Sequence, residues 1–413
     1  MAASASEREH ARRYPRSEEW ELHARATDAW ATARPPVSSI PRYFSRARGA
    51  HVWDLDGNRY VDYILGFGHV VLGHADPRVT GAVTEELERG TCVAPIWSPR
   101  QAELTELLAT IVPGAEAAYL MRTGSDATSG AVRLARIFTG RSKVARWGYT
   151  GWHDWAARRP EGVLPAVRDE TLSFDYNGPG SLLALFEAHP DEIACVIMMP
   201  FELDAPDPGF LHEVQALARH HGALFVLDEM RSGFRMALGG AQEFFGLAPD
   251  LSTFGKAMAN GHPISAITGR SDVLACLGRT HMASTTYSNA PEMAAALATI
   301  AVLRDSDAIP RLWRLGEALV EGLRAAVDEH GLPAEVVGYP IAPFLRFDPA
   351  VEGAKNVKAR FKNVKARFFA ETSRRGVLFA PNHQWFVSAA HTDEDLELTV
   401  EACRRAAAFA AAG

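Results

Sequence analysis

Lys256 is the side chain of this sequence whose surroundings best suit a nucleophile. It lies in DLSTFGKAMANG (residues 250–261), between Gly255 and a run of small residues, after an apolar approach. Burial in such surroundings would lower the pKa of the amine, and an unprotonated amine attacks a carbonyl carbon near neutral pH. A lysine considered alone is more often a solvated residue at a turn, so the interpretation depends on the rest of the chain.

Asp228 is the second candidate, because it closes the apolar run in ALFVLDEMRSGFR. A carboxylate at the end of a buried strand is poorly solvated unless a cation pairs with it. The partner could be Arg231 or Arg235, in a structural ion pair, or a cationic ring nitrogen of a ligand. The sequence leaves both interpretations open at this point.

An anion-binding turn is predicted at Thr123-Gly124-Ser125, where the strand in LMRTG stops and a helix begins at Asp126 or Ala127. Small residues at a helix N-terminus leave backbone N–H groups free beside the positive end of the helix dipole. The simpler alternative is that Ser125 only caps the helix. The patterns GxxxxGK[ST] and GxGxxG do not occur in the sequence, which disfavours the common nucleotide-binding folds.

These three features together meet the requirements of pyridoxal 5'-phosphate (PLP). The aldehyde of PLP needs a lysine for its Schiff base, and its phosphate needs backbone N–H groups. Its pyridine nitrogen needs an anion to stay protonated. We therefore expect Lys256, Asp228 and the turn at Gly124 and Ser125 to form one site.

The elements that position these residues are those of an α/β protein. Short apolar runs alternate with helical segments up to about residue 275, which predicts a largely parallel sheet covered by helices. The predicted strands lie in AAYLMRTG, SKVARWG, IACVIMMPF, ALFVLDEM and PISAITG. Before them, His51–Leu55 and Arg59–Tyr63 flank Asp56-Gly57, a pair typical of a β-hairpin turn.

The 413 residues are expected to form two structural domains. Residues 1–75 contain the hairpin and belong to the small-domain region, residues 76–308 form the large PLP-binding domain, and residues 309–413 form a C-terminal small domain. The heptapeptide KNVKARF occurs in tandem at 355–361 and 362–368. It predicts an amphipathic helix with Val357, Phe361, Val364 and Phe368 on one stripe, although a duplication without function would look the same.

Composition excludes several classes of partner. The net charge of −7 gives no electrostatic reason to expect nucleic acid or an anionic membrane. No apolar stretch has the length of a membrane span, and the charged N-terminus lacks a signal peptide. Four scattered cysteines suit a reduced cytoplasm, and without HExxH or CxxC patterns no metal site is expected. The absence of GxSxG argues against a serine hydrolase.

The order and spacing of these motifs resemble class III (subgroup II) aminotransferases of PLP fold type I, particularly the glutamate-1-semialdehyde aminomutase branch. The resemblance runs from about residue 35 to 405. Its motifs are GAHVWDLDGNRYVDY, VLGHADPRV, TGSDAT, AVRLARIFTGRSKV, LDEMRSGFR, GGAQEFFGLAPDLSTFGKAMANGHPISAITGR and RGVLFAP. The fold it implies is a large domain with a mostly parallel mixed sheet covered by helices, plus a smaller α+β domain.

The resemblance also implies roles for individual residues. Lys256 would hold the cofactor as a Schiff base and move the proton during catalysis, while Asp228 would pair with the pyridinium nitrogen. Gly124 and Ser125 would hold the phosphate. Tyr149 would stack on the pyridine ring. Thr286 would reach the phosphate of the neighbouring subunit, which implies a homodimer with active sites at its interface.

Several positions depart from the family pattern and are substrate-side candidates. The family's histidine after the stacking aromatic residue is Thr150 here, and its Glu-Pro is Met199-Pro200, with Glu202 nearby. His69 stands where the aminomutase has proline. The four candidates are His69, Trp152, His153 and Glu202, although Trp152 and His153 could equally pack under a loop. These departures imply a substrate other than the tetrapyrrole precursor.

The implied activity is transfer of an amino group from an amino-acid donor to a carbonyl acceptor through pyridoxamine phosphate, in a biosynthetic pathway of specialised metabolism. Three alternatives stay open. An aminomutase would move the amino group within one substrate, and a racemase or decarboxylase of the same family would break a different bond. A noncatalytic scaffold with this fold is disfavoured because Lys256 and Asp228 are both present.

Overall fold

The computed structural model describes residues 15–29, 41–347 and 355–412, with the backbone alone for 355–363. The strands are β1 Phe44–Arg48, β2 His51–Asp54, β3 Arg59–Asp62, β4 Ala117–Met121, β5 Lys143–Trp147, β6 Thr171–Ser173, β7 Ile193–Met198, β8 Leu224–Asp228, β9 Leu251–Phe254, β10 Ser265–Gly269, β11 Ala334–Val337, β12 Phe344–Phe347 and β13 Val377–Leu378. The longer helices are α1 Pro15–Ala24, α2 Pro77–Arg89, α3 Pro99–Ile111, α4 Gly124–Thr139, α5 Pro179–Ala188, α6 Phe210–His220, α7 Ala290–Asp305, α8 Ala308–His330, α9 Lys355–Arg374 and α10 Asp393–Ala411.

The chain divides into two compact units. The large unit is the continuous segment Pro77–Ile309. The small unit combines residues up to Asp76 with those from Pro310 onward. Each unit has its own sheet or sheets, so the two are described separately.

The large unit contains a seven-stranded sheet in the order β4-β10-β9-β8-β7-β5-β6. Strands β5 to β9 pair in parallel, whereas β10 is antiparallel to both of its neighbours, β4 and β9. Because β4 and β9 are both antiparallel to β10, they run in the same direction. The mixed, mostly parallel α/β sheet predicted from the sequence is confirmed.

The two faces of this sheet bury two separate cores. Along β7, Cys195 and Ile197 belong to the core that includes α4, whereas Val196 and Met198 belong to the core that includes α5 and α6. Successive strand residues point to opposite faces, and all six residues of β7 are buried. A sheet covered on both faces explains why these strands are continuous apolar runs in the sequence.

The small unit contains the predicted hairpin. Strands β2 and β3 pair antiparallel, with His51 opposite Val61, and Gly57 in the connecting turn has φ +85°. The carboxylate of Asp54 stabilises this turn by accepting from the N–H of Asp56 and the N–H of Asn58. Strands β1 and β13 extend the hairpin to a four-stranded sheet in the order β1-β2-β3-β13, in which β13 pairs in parallel with β3. Strands β11 and β12 form a separate two-stranded sheet.

The tandem heptapeptide lies in α9, as predicted for a helix. Val364 and Phe368 of the second copy are buried, which agrees with the predicted apolar stripe. The side chains of Val357 and Phe361 lie outside the described residues. Over the described part of the chain, no helix is both long and apolar enough to cross a membrane.

Candidate active site

Six strands of the large unit end at the same edge of the sheet, because β4, β5, β6, β7, β8 and β9 run in one direction. The residues that follow these ends include most of the sequence-predicted site. They are Gly124 and Ser125 after β4, Tyr149 after β5, Glu202 after β7, Asp228 at the end of β8, and Lys256 after β9. Ligands of open α/β sheets bind at this edge.

Asp228 is the last residue of β8 and is almost completely buried. Burial raises the pKa of its carboxyl to about 6, although the N–H of Met230 and the charge of Lys256 act in the opposite direction. Oδ1 accepts from the Met230 N–H at 3.0 Å and from the Thr253 hydroxyl at 3.5 Å. A buried carboxylate of this kind is stabilised as an anion by a cationic hydrogen-bond donor.

Lys256 begins a single 3-10 turn that follows β9. Its backbone has φ +46°, a left-handed conformation that is strained for any residue with a Cβ. Burial, together with the charge of Arg231, lowers the pKa of its amine to about 8, while the charge of Asp228 acts in the opposite direction. Asp228 pairs with Thr253 of the neighbouring strand β9, and Lys256 lies three residues after Thr253.

Helix α4 begins at Gly124, earlier than the predicted start at Asp126 or Ala127. The cap is Thr123 and not Ser125, so the alternative that gave Ser125 this role is wrong. The Thr123 hydroxyl accepts from the Asp126 N–H at 3.2 Å, and the Asp126 carboxylate accepts from the Thr123 N–H at 2.8 Å. This reciprocal pair of hydrogen bonds fixes the first turn of α4, and Ser125 lies within that turn. The Oγ of Ser125 accepts from the Trp152 N–H at 3.3 Å.

Met230 lies between the predicted anion-binding turn and the turn that begins at Lys256. A Cβ built on Gly124 would lie 2.9 Å from the sulfur of Met230, and a Cβ built on Gly255 would lie 2.8 Å from it. Neither position has room for a side chain while Met230 keeps its conformation. Sequence reasoning missed Met230, although its position two residues after Asp228 was a usable signal.

Glu229 is a second residue that sequence reasoning missed. Its fully buried carboxylate accepts from the Ser232 hydroxyl and from the N–H groups of Ala241 and Gln242, at 2.9 and 2.7 Å for the two amides. Burial raises its pKa to about 7. These bonds hold the loop after β8, and the signal was the pair of adjacent acidic residues at the end of an apolar run.

Tyr149 has a partly exposed ring at the site edge of the sheet. The guanidinium carbon of Arg158 lies 5.6 Å from the centroid of that ring. Nη2 of Arg158 is 3.3 Å from Oε1 and 3.4 Å from Oε2 of Glu202. Tyr149 and Glu202, predicted separately, are therefore linked through an arginine that was not predicted.

Trp152 and His153 differ in their surroundings. The Trp152 side chain is 71% exposed, with its ring edge against His153. His153 Nδ1 is 2.8 Å from the Ser129 hydroxyl, which also accepts from the Trp155 indole N–H at 2.8 Å. The position of His153 favours the packing alternative, whereas Trp152 is accessible.

Thr286 lies in a single 3-10 turn, Thr285–Ser288, and its side chain is exposed. The thiol of Cys92 donates to the carbonyl of Thr285 at 3.3 Å, which attaches this turn to the segment from residue 91 to 97. Ile96 and Trp97 of that segment are both highly exposed.

His69 belongs to the small unit, whereas the other predicted site residues belong to the large unit. It follows Leu65–Gly68, whose four residues all have positive φ between +46° and +84°. Leu65 and Phe67 have a Cβ, so this turn is strained. Its role toward a substrate stays a prediction.

The arrangement in the large unit fits PLP. The buried carboxylate of Asp228 suits a pyridinium N–H, the amine of Lys256 has a lowered pKa suited to an aldehyde, and the first turn of α4 has backbone N–H groups beside a glycine. Among the described residues, no group of three or more His, Cys, Asp or Glu side chains could hold a metal ion.

Comparison with known proteins agrees with this geometry. The model of the family described as aminotransferase class-III matches residues 32–153 and 172–404. The chain belongs to this family, and it is therefore a PLP-dependent aminotransferase of fold type I, a class of enzyme that acts on small amino donors and carbonyl acceptors.

Individual relatives are similar over almost their whole length. The chain is 36% identical to a 3-aminobutyryl-CoA aminotransferase of Cloacimonas acidaminovorans, with 92% of each chain covered. It is 38% identical to a glutamate-1-semialdehyde 2,1-aminomutase of Anaeromyxobacter dehalogenans, covering 91% of this chain and 92% of the relative. The FumI protein of Sphingopyxis sp. MTA144, solved in its PLP internal aldimine form, superposes with a TM-score of 0.87 at 30% identity, covering 95% of this chain and 96% of that one.

Proposed function

We propose that the large unit is the PLP-binding domain and that its site transfers an amino group from an amino-acid donor to a separate carbonyl acceptor. The observation that carries this proposal is the pairing of Asp228 and Lys256 at the ends of adjacent parallel strands, where each charge acts on the pKa of the other. When bound, PLP supplies an aldehyde and an electron-withdrawing ring.

The residues of the chain have distinct parts in this proposal. Lys256 binds the aldehyde through its amine and carries the proton at Nζ to and from the substrate carbon. Asp228 holds a proton on the ring nitrogen through a charge-assisted hydrogen bond. Gly124 and Ser125 bind the phosphate with the first turn of α4, and Tyr149 covers a face of the ring.

Substitution of Lys256 tests the assignment of the amine. Borohydride reduction of the holoenzyme should fix the cofactor covalently to wild type and not to Lys256→Ala, as measured by intact mass. Lys143→Ala is a matched control, because Lys143 lies on β5 of the same unit and pairs with Glu192 at 2.9 Å. Cofactor fixed to Lys256→Ala at the wild-type level would disprove the assignment.

An aminomutase is the second candidate, because relatives with that name are as similar to this chain as the aminotransferase is. The two activities differ in the products that form when the holoenzyme is given an amino donor without an acceptor. A transaminase releases one keto acid per site and then stops, whereas a mutase returns an isomer and continues. Quantifying released keto acid after mixing excess donor with holoenzyme, without an acceptor, distinguishes them.

We also propose a homodimer in which Thr286 contributes to the partner's phosphate site. The exposed apolar residues Ile96 and Trp97 support this proposal, because large apolar side chains clustered on a surface indicate a protein interface. The bond from Cys92 to Thr285 attaches this surface to the turn that carries Thr286. A cytoplasmic setting is supported by the four cysteines, all of which are free thiols.

A further inference from the structure

His391 of the small unit is a buried histidine at the end of a tight turn that begins at Ser388. The residue is 2% exposed. Its Nδ1 lies 3.1 Å from the backbone N–H of Ser388 and 2.9 Å from the Ser388 hydroxyl. The Ser388 carbonyl is farther from Nδ1, at 3.4 Å, and already accepts from the His391 N–H at 3.2 Å. We therefore assign Nδ1 as an acceptor, with the hydrogen of the neutral ring on Nε2.

A protonated His391 ring does not fit this arrangement. An imidazolium carries a hydrogen on both nitrogens, so its Nδ1–H would point at two donors of Ser388. Nε2 has no hydrogen-bond partner among the described residues, so no acceptor of this part of the chain offsets the burial of a charge. The ring of Tyr63 covers the imidazole, with the two ring centroids 4.6 Å apart.

The titratable groups around His391 belong to β2, β3, α10 and the segment before α2. Burial lowers the pKa of His391 to about 4, although the charges of Asp395 and Asp62 act in the opposite direction. The charge of His51 lowers this pKa further. Both carboxylates have closer partners, because Asp395 pairs with His51 at 2.8 Å and Asp62 pairs with His74 at 2.9 Å.

The turn that ends at His391 attaches the start of α10 to the rest of the small unit. The N–H of Ala389 donates to the carbonyl of Val71 at 2.8 Å. Arg311 of α8 donates to the carbonyls of Ala389 and His391, at 3.0 and 2.7 Å. Helix α10 begins directly after the turn, with Thr392 as its cap. Opening of the turn would therefore release the first residues of α10.

We propose that the turn from Ser388 to His391 is a pH-sensitive latch, which holds the start of α10 while His391 is neutral and releases it when the ring takes up a proton. This inference is independent of the proposed function, because every contact that carries it lies within the small unit. The opened form takes up a proton at the ordinary pKa of 6.5, whereas the closed form does so only at about 4. The latch is therefore strongest above pH 6.5 and weakens as the pH falls from 6.5 towards 4.

Hydrogen exchange of the holoenzyme tests this proposal, measured by mass spectrometry and corrected for the intrinsic pH dependence of exchange. The opening equilibrium constant of α10 should be about tenfold larger at pH 5.5 than at pH 7.5, the ratio that follows from pKa values of 6.5 and about 4. The amides of α3, which contains no histidine, should change little over the same range.

His391→Gln removes the titrating group and keeps a polar side chain. In this variant α10 should open equally at both pH values. His212→Gln is the matched control, because His212 is an exposed histidine of α6, and it should keep the tenfold difference. A tenfold difference that persists in His391→Gln, or equal opening of α10 at both pH values in wild type, would overturn the proposal.

Nitrogen NMR of wild-type protein with 15N-labelled histidine tests the same geometry if His391→Gln does not fold. A neutral ring with its hydrogen on Nε2 should persist at pH 5.5, where a solvated imidazole is mostly protonated. Loss of every such signal between pH 7.5 and pH 5.5 would show that His391 titrates like a solvated histidine, and the latch would be wrong.

Discussion

The sulfur of Met230 lies only 2.8 Å from the position that a Cβ on Gly255 would occupy, which is too close for a side chain there. The same sulfur is 2.9 Å from the Cβ position of Gly124. One side chain therefore sets the spacing between the residue before Lys256 and the first residue of α4. Interiors are close-packed, so this spacing responds to the addition of a single methyl group.

Substitution of Gly124 by alanine should weaken cofactor binding. The added methyl displaces Met230, and overpacking of this kind costs about 1–3 kcal/mol. The dissociation constant of PLP, measured by absorbance titration of the apoprotein, should rise accordingly. Gly180→Ala is the control, because a Cβ at Gly180 meets no atom within 4 Å. The double variant Gly124→Ala with Met230→Ala should recover part of the affinity, and failure to do so would exclude Met230 as the cause.

The reaction of apoprotein with PLP should depend on pH through the amine of Lys256. Its folded pKa is lowered to about 8 from the ordinary 10.5, so the neutral amine dominates above pH 8. The rate of cofactor attachment, followed by stopped-flow absorbance, should rise with pH up to about 8 and then level off. A rate that keeps rising to pH 10 would contradict the lowered pKa.

Arg231→Gln should move that transition to higher pH, because the charge of Arg231 lowers the pKa of Lys256. Arg231→Lys keeps the charge and is the matched control. The same lowered pKa also has a consequence for stability. Between pH 8 and 10.5 the unfolded state binds more protons than the folded state, so the Lys256 contribution to unfolding free energy increases with pH over this range.

Trp152 and His153 should respond differently to substitution by alanine. His153→Ala removes the hydrogen bond to Ser129 and should lower the free energy of unfolding by about 1 kcal/mol. Trp152→Ala removes an exposed ring and should leave unfolding unchanged while altering KM. Urea denaturation and steady-state kinetics of both variants distinguish packing from substrate contact. A loss of stability in Trp152→Ala, or a changed KM without loss of stability in His153→Ala, would contradict these assignments.

Trp97→Asp should dissociate the proposed dimer. Trp97 is 75% exposed, and a charge at the centre of an apolar interface should raise the dimer dissociation constant at least about tenfold. Analytical ultracentrifugation measures the change. Leu164→Asp alters another exposed apolar residue, 65% exposed, and should leave the assembly unchanged. An unaffected Trp97→Asp dimer would place the interface elsewhere.

The sequence was sufficient for the features that depend on local pattern and chain order. The five predicted apolar runs contain β4, β5, β7, β8 and β10, whereas β6 was not predicted. Asp228 is the last residue of β8, and the lysine turn follows β9. The predicted start of α4 was wrong because the helix is capped by Thr123, which exchanges hydrogen bonds with Asp126. Ser125 is a residue of the same capping type nearby, so the sequence offered more than one possible cap. Caps of this kind are difficult to choose from residue types alone.

The features that could not be predicted arise from contacts between distant parts of the chain. Arg158 contacts a residue 44 positions away, Glu202, from a segment without hydrophobic periodicity. Glu229 reaches amides 12 and 13 positions away, in a loop that has no regular structure to indicate its path. The pair of adjacent acidic residues after an apolar run marks Glu229 itself, but neither composition nor spacing records which distant groups Glu229 and Arg158 contact.

The parallel pairing of β13 with β3 has a consequence for the order of folding. Val377 pairs with Val61, so β3 can complete its pairing only after a strand more than 300 residues later has been synthesised. The large unit, by contrast, is one continuous segment that ends at Ile309. During synthesis, the seven-stranded sheet can therefore be complete while the first hairpin still has an unpaired edge, and we expect the nascent chain to be prone to aggregate at that edge.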